Sequence, residues 1–287
     1  MSFDYDAAFS RNIGWVTTDE QQALRSKRVA IAGLGGVGGG HLLTLSRLGI
    51  GNFHISDLDT FEIGNFNRQA GASVSHMDRP KLDVMREMAL DINPEMNVGL
   101  FPEGVSEANI DAFLEGVDLY VDALDFFAID ARRLVFEACE KKGIPAITAA
   151  PLGMGVAFLA FLPGKMSFEQ YFRLEGQSRT EQAARFLLGL SPAMLQMRYL
   201  VDDSRVDFAS GKGPSTIMAC ELCAGMAGTQ AVKILLQRGH VVAAPHGLHF
   251  DAYRNKYVKT WRPGGNANPI QKLGLILARK KLSALEI

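Results

Sequence analysis

Residues 28–57 read RVAIAGLGGVGGGHLLTLSRLGIGNFHISD. RVAIA (28–32) is short, apolar and followed by glycines, as a buried strand would be. Gly33, Gly35 and Gly38 give G-x-G-x-x-G. A helical stretch follows over 37–49, ending at Gly49, and FHISD (53–57) reads as a second strand. Glycines at such a turn allow a sharp bend and let backbone N–H groups at the helix start approach a phosphate. Gly33, Gly35, Gly36 and Gly38 are therefore candidate nucleotide-binding positions. Asp57 ends the second strand 19 residues after Gly38 (57 − 38 = 19), where an acidic group suits ribose hydroxyls. The pattern by itself fits NAD, FAD and ATP alike.

The alternation continues outward from this unit. Residues 79–93 place Leu82, Met85, Met88, Leu90 and Ile92 at helical spacing and stop at Pro94. Residues 118–122, 145–149 and 155–162 read as further strands, with a helix near 130–142. The sequence predicts an α/β, doubly wound, Rossmann-like fold on a mainly parallel sheet. Residues 246–261 add two antiparallel strands at its C-terminal end. The segment 164–214 is polar, with a helix expected around 178–189, and is read as a crossover or lid over the ligand site. GPST (213–216) opens a long helix to about Gln237, and 270–284 reads as an amphipathic, basic helix docked on its own domain. The chain, 1–287, is expected to be one domain: a nucleotide-binding part (1–163), the crossover (164–214), and a C-terminal helix, strands and tail (215–287).

Composition narrows the function classes. The 287 residues carry 30 Lys+Arg and 31 Asp+Glu, a formal charge of −1, so no global field would draw nucleic acid or an anionic membrane. Hydrophobic residues make up 47%, enough for a sizeable core. The apolar run from Ile144 to Leu162 holds Pro145, Pro151, Gly153 and Gly155, which favours strand–loop–strand over a membrane span. The N-terminal MSFDYDAAFSRNIG has no signal-peptide core. Three cysteines rule out a disulfide scaffold and point to a reducing, cytoplasmic setting.

A triphosphate makes demands that a dinucleotide does not: Arg and Lys clamps, and a carboxylate for Mg²⁺. Such residues occur in DLDTFEIGNFNRQ (57–69), at Lys81, and in VDALD (121–125). Together with FSRNI (9–13), GLGGVGGG (33–40), RLGIGNF (47–53), RPK (79–81) and DINP (91–94), these stretches stand in order and at spacings that resemble the ThiF/MoeB/ubiquitin-activating (HesA/MoeB/ThiF) adenylyltransferase family. The resemblance covers roughly residues 8–163 and, more weakly, 213–260.

The resemblance implies an enzyme that uses ATP and Mg²⁺ to adenylate a carboxylate, with release of pyrophosphate. It implies that Asp57 binds ribose, Asp59 supports the adjoining loop, Asn65 and Arg68 contact the phosphates, Lys81 sits at the reacting centre, Asp125 holds Mg²⁺, and Arg11 reaches the γ-phosphate, in some members from the partner subunit. The substrate it implies is the C-terminus of a ubiquitin-like sulfur carrier, a peptide, or a small or tRNA-borne carboxylate, and the assembly a homodimer. Phe126 departs from the family pattern, which has Asn after the strand-end Asp. Segment 164–214 contains no cysteine, which argues against a thioester of the usual layout. Cys139 reads as core. Cys220 and Cys223 form a single C-x-x-C, short of a tetrahedral zinc set unless His246 and His249 helped, and no zinc is expected. Two other readings remain open: an NAD- or FAD-dependent oxidoreductase, which the Asn65, Arg68, Lys81 and Asp125 set does not favour, and a catalytically silent nucleotide-binding partner subunit.

Overall fold

A computed structural model describes residues 3–202 and 213–283. Its strands are β1 (Arg28–Ala32), β2 (Asn52–Ser56), β3 (Asn97–Phe101), β4 (Leu119–Asp122), β5 (Ala146–Leu152), β6 (Gly155–Phe161), β7 (His246–Asp251) and β8 (Lys256–Trp261). They form one eight-stranded sheet in the order β3-β2-β1-β4-β5-β6-β7-β8. β1 to β5 are parallel, and β6, β7 and β8 complete the sheet antiparallel. The strand order reverses beside β1, which pairs with β2 on one edge and β4 on the other. Ligands of open α/β sheets bind at such a switch point, outside the carboxyl ends of the strands.

The helices are α1 (Tyr5–Ala8), α2 (Thr18–Ser26), α3 (Gly38–Arg47), α4 (Lys81–Ile92), α5 (Ile110–Phe113), α6 (Ile129–Lys142), α7 (Phe168–Phe172), α8 (Arg179–Leu190), α9 (Ile217–Leu235) and α10 (Pro269–Ser283). Strand periodicity sorts side chains between two layers. Val29 and Ile31 belong to a cluster with Leu42 and Leu45 of α3, Val84 and Met85 of α4, and Ala227 of α9. Ala30 and Ala32 belong to the other, with Phe113, Phe136, Phe172 and Phe186 from α5 to α8. Fully burying one such Leu, Val or Phe stabilises by about 1.5–3 kcal/mol, so these layers hold the strand ends beneath the site. α10 docks on α8, with Leu275 against Ala184 and Leu188 and Arg279 paired to Glu181.

The mainly parallel sheet with an antiparallel C-terminal end is as expected, and the run 144–162 is the β5–β6 hairpin. No helix among the described residues is long and apolar enough to cross a membrane. The structure adds five helices and strands: α1, α2, β3, α5 and α7. β3 is an edge strand bonded only to β2; its side chains are exposed or half-buried, and with a central glycine in five residues it gives a weak strand signal. α2 is entered through a Thr17–Glu20 capping box, a T-x-x-E signal present in the sequence. α7 lies within the segment read as crossover, and residues 203–212 of that segment, like Ala284 of the predicted C-terminal helix, fall outside the described residues.

His41 on α3 is completely buried, and neither ring nitrogen has a partner among the described residues. Burial lowers its pKa to about 4. The ring is neutral in the fold, whereas the unfolded chain takes up a proton near pH 6.5. Stability therefore falls as pH drops from about 6.5 towards 4, because the unfolded state binds more protons in that window. Urea unfolding at pH 7 and pH 4.5 is expected to show a loss from this residue of roughly 2–3 kcal/mol, which His41→Leu removes. An unchanged pH dependence in that variant would show that His41 is not the source.

Candidate active site

The site begins where β1 turns into α3. The Gly33 N–H donates to the Ser56 carbonyl at 2.7 Å, tying the turn to the end of β2. Gly33 has φ +88°, and a Cβ there would overlap the Ala123 carbonyl at the end of β4. A Cβ on Gly38 would overlap the Gly33 carbonyl. Only glycine fits either position, so the loop lies flat against the carboxyl ends of β1 and β4. Among the described residues, no side chain caps the N-terminus of α3. A ten-residue helix thus presents free N–H groups and its positive dipole end beside the loop, an arrangement that favours an anion.

Asp57 is committed to shaping this loop. One carboxylate oxygen accepts from the Leu34 N–H, and the other from the Asp59 N–H at 2.8 Å. The following turn carries the cations. Asn65 accepts from the Glu62 N–H at 3.0 Å through Oδ1, and its carbonyl accepts from the N–H groups of Arg68 and Gln69. This turn sets Arg68 over the glycine loop, with Nε 3.7 Å from where a Cβ of Gly36 would lie. Arg68 Nη1 donates to the Gly64 carbonyl and to Asn67 Oδ1, both at 2.9 Å.

Lys81 opens α4 and is 5% exposed. Its Nζ pairs with Asp59 Oδ2 at 2.9 Å, and its backbone N–H donates to the Asp59 carbonyl. Asp59 is itself exposed, so the pair is open on one side. Asp125 follows β4 as an exposed residue, and one of its oxygens accepts from the Phe127 N–H at 2.9 Å. Arg68 thus lies against the glycine loop; Lys81 is linked to it through Asp59 and Asp57, and Asp125 stands two residues past Ala123, whose carbonyl Gly33 approaches.

Arg11 is not brought there within the chain. It is exposed in the turn Ser10–Asn12. The neighbouring Asn12 bonds Gln21 Oε1 and the Leu48 carbonyl, at the C-terminal end of α3. Ten residues of helix place that end roughly 15 Å from the glycine loop.

The sequence did not disclose Arg132. Buried on α6, it bonds Asp122 Oδ2 through Nε at 2.8 Å, and the carbonyls of Leu124 (2.6 Å) and Asp125 (3.1 Å) through Nη2. Its guanidinium lies 4.5 Å from the centre of the Phe186 ring. This one side chain braces the segment that bears Asp125. A second unforeseen group is Tyr199, which donates to Asp251 Oδ2 and accepts from the Met154 N–H, both at 2.8 Å. Burial pushes its pKa up to about 12. Thr216, which caps α9, donates to the Gly153 carbonyl at 2.7 Å, so the β5–β6 turn is held from two directions.

The cysteines lie in the cores. Burial pushes the Cys139, Cys220 and Cys223 thiols up, which keeps them protonated. Cys220 Sγ packs 3.4 Å from the would-be Cβ of Gly36, as one wall of the loop. Leu248 shares the cluster of Cys220 and Cys223. The adjacent His249 therefore faces away from that layer, and its Nδ1 lies 3.2 Å from Ser191 Oγ. His249 and the C-x-x-C are not gathered on one side of the sheet.

Comparison with known proteins supplies an independent line. The ThiF family model matches residues 9–272. A tRNA threonylcarbamoyladenosine dehydratase of Bacillus subtilis is 33% identical over 142 residues, 49% of this chain and 55% of that protein. A sulfur carrier protein ThiS adenylyltransferase of Escherichia coli is 28% identical over 148 residues, 52% of this chain and 58% of that protein. The chain thus spans about half the length of the curated relatives it matches. Among solved structures, E. coli MccB with ATP aligns with a TM-score of 0.64 at 19% identity, covering 91% of this chain and 73% of MccB. The E. coli dehydratase TcdA aligns at 0.59 and 21% identity, covering 81% and 95%. At these identities the structural likeness establishes the fold.

The Arg132 brace has a measurable consequence. Removing the cation leaves Asp122 buried and unpaired, so Arg132→Ala is expected to destabilise the protein by about 3–5 kcal/mol in denaturant unfolding. Pairing it with Asp122→Leu is expected to recover part of that loss. A cost below about 1 kcal/mol would mean the buried pair does not support the loop.

Proposed function

The chain belongs to the ThiF family, and from that premise we propose that it is an ATP-dependent adenylyltransferase that activates a carboxylate as its acyl-adenylate. The observation that supports this reading is Arg68 lying over a glycine loop that ends on a helix N-terminus, with the Lys81–Asp59 pair tied to that loop through Asp57. A hydride carrier needs the glycines and an acid; a triphosphate needs the cations as well.

In the proposed reaction a carboxylate oxygen of the substrate attacks the α-phosphorus of ATP. The bond from that phosphorus to the oxygen bridging the β-phosphate breaks, and pyrophosphate leaves with the electron pair. Two like-charged groups must approach, and negative charge then moves onto the leaving group. Arg68 and Lys81 neutralise that charge from fixed positions, and the α3 N–H groups hold phosphate oxygens. Asp125 suits Mg²⁺, since it is an exposed carboxylate with only one oxygen engaged by the backbone, and Mg²⁺ takes one or two carboxylates while keeping water and phosphate ligands. The ion supplies charge neutralisation on the phosphates when bound. Lys81 changes partner in this scheme, from the Asp59 carboxylate to a phosphate.

The acyl substrate is proposed as a carboxylate borne by a ubiquitin-like carrier, a peptide or a smaller molecule. Support comes from relatives that act on a sulfur carrier protein and on a tRNA modification. We further propose a homodimer in which Arg11 completes the partner's site. The exposed Arg11, next to Asn12, which bonds the end of α3 opposite its glycine loop, supports that arrangement, as do the exposed Ile13 and Trp15 beside it. The three unpaired cysteines suit a reducing, cytoplasmic setting.

Pyrophosphate exchange into ATP, assayed against carrier proteins and peptides with free C-termini, tests the reading. Lys81→Ala and Asp125→Ala are each expected to lower exchange by more than about 100-fold with circular dichroism unchanged. Near wild-type exchange in either would remove that residue from the mechanism. Arg11→Ala and Lys81→Ala, each inactive alone, are expected to regain roughly a quarter of wild-type activity when co-refolded, because half of the dimers carry one intact site. No recovery would place Arg11 in its own subunit's chemistry or outside the chemistry.

A further inference from the structure

α10 docks on the protein through its smaller and more polar side. Three contacts fix its rotation. Gln271, which is 2% exposed, accepts from Arg262 Nε at 3.2 Å and donates to the Leu188 carbonyl at 3.2 Å and to Asn266 Oδ1 at 3.3 Å. Leu275 packs against Ala184 and Leu188. Gly274 comes so close to Leu188 that a Cβ there would stand 2.9 Å from it. The larger apolar residues are left outside: Ile270 is 62% exposed, Leu273 59%, Ile276 47% and Leu277 60%. At 3.6 residues per turn these four positions share an arc of about 120°. A helix that served only to close the fold would turn this arc inward and Gln271 outward. The bonds of Gln271 hold the reverse.

Charge says what the outer face suits. The α10 sequence PIQKLGLILARKKLS holds four cations, Lys272, Arg279, Lys280 and Lys281, and no acid. The whole chain has a formal charge of −1, so the positive charge is concentrated here. Positions 272 and 279 stand by register along one margin of the apolar arc. Lys272 is exposed. Arg279 turns back to Glu181 on α8, which also pairs with Arg185 at 2.6 Å, so two cations share that one acid. A second copy packed along α10 would set four cations against four, and like charges repel. An anionic surface meets both the apolar arc and the cations. Fifteen residues of helix reach roughly 22 Å, short of a hydrocarbon core of about 30 Å. The helix is long enough to lie on such a surface and too short to cross it.

We propose that the outer face of α10 rests on an anionic lipid surface. Ile270, Leu273, Ile276 and Leu277 enter the boundary between headgroups and acyl chains, and the basic residues meet the headgroups. Gln271 and Leu275 keep the inner face of the helix on α8, so the protein settles on the surface as a folded body. The proposal is independent of the ATP reading.

Co-sedimentation of the full chain with vesicles tests this. One set is phosphatidylcholine alone, and the other contains about 30% phosphatidylserine. Binding to the anionic set is expected to be at least about tenfold tighter, and to weaken as salt is added. Leu273→Gln combined with Leu277→Gln keeps helix propensity. It is expected to weaken binding by about tenfold or more with the unfolding temperature unchanged. Lys272→Gln, Lys280→Gln and Lys281→Gln together are expected to weaken it roughly 100-fold, at about fivefold per cation. Wild-type protein that stays in the supernatant with anionic vesicles overturns the proposal. So does equal binding to both vesicle sets, or undiminished binding by the double leucine variant. If wild type ignores vesicles and light scattering shows a dimer that the leucine substitutions dissociate, the face is a contact between copies and the proposal falls.

Discussion

The site depends on a steric constraint more than on any charge: the β1–α3 turn must lie against the end of β4 with no side chain between them. Gly33 touches the Ala123 carbonyl, and Gly38 closes on Gly33. That double approach places an uncapped helix end above the switch point of the sheet and sets it beside the segment carrying Asp125. Any other residue at position 33 would face both a carbonyl in the way and a left-handed backbone. The polar groups then arrange themselves around a loop whose path is already fixed.

Before a nucleotide arrives, the loop's charges are held by the protein itself. Asp57 is occupied by two backbone N–H groups, Lys81 by Asp59, and Arg132 by Asp122. These pairings differ in kind. The Arg132–Asp122 pair is sealed from solvent on both sides, so its partners are fixed by mutual need. The Lys81–Asp59 pair is sealed only on the lysine side, so the ammonium has a ready alternative whenever a stronger anion comes to the open face. The first pair suits scaffolding; the second suits exchange.

Much of this was legible in the sequence because it is local. The glycine spacing, the strand-end Asp57, the helical periodicity of 79–93 and the breakers inside 144–162 each report a backbone preference over a few residues. The polar positions 65, 68 and 81 could be singled out by the family resemblance that their order carries, and the structure sets Arg68 over the loop. The features that escaped were decided by tertiary approach. β3 is five residues with a central glycine, and none of them is deeply buried. Arg132 looks like one of many helix charges until Asp122 and three backbone carbonyls converge on it. Arg11 resembled a member of the cluster, and the length of α3 separates it from that cluster.

α9 brings the last third of the chain back to the loop: Cys220 forms a wall behind Gly36, Ser215 accepts from Asn67 at 3.0 Å, and Ala227 and Ala231 fill the layer shared with α3 and β5. The residues with recognisable chemistry all lie before position 126, but the stretch that contains them is not a self-sufficient module. Severed from α9 and the strands after it, that stretch would expose the apolar backs of β1 and α3 to water and lose the surface against which its glycine turn rests. Splitting or recombination through this unit would therefore break it, and the C-terminal sequence has to be inherited together with a site to which its described residues supply a wall and a backbone carbonyl.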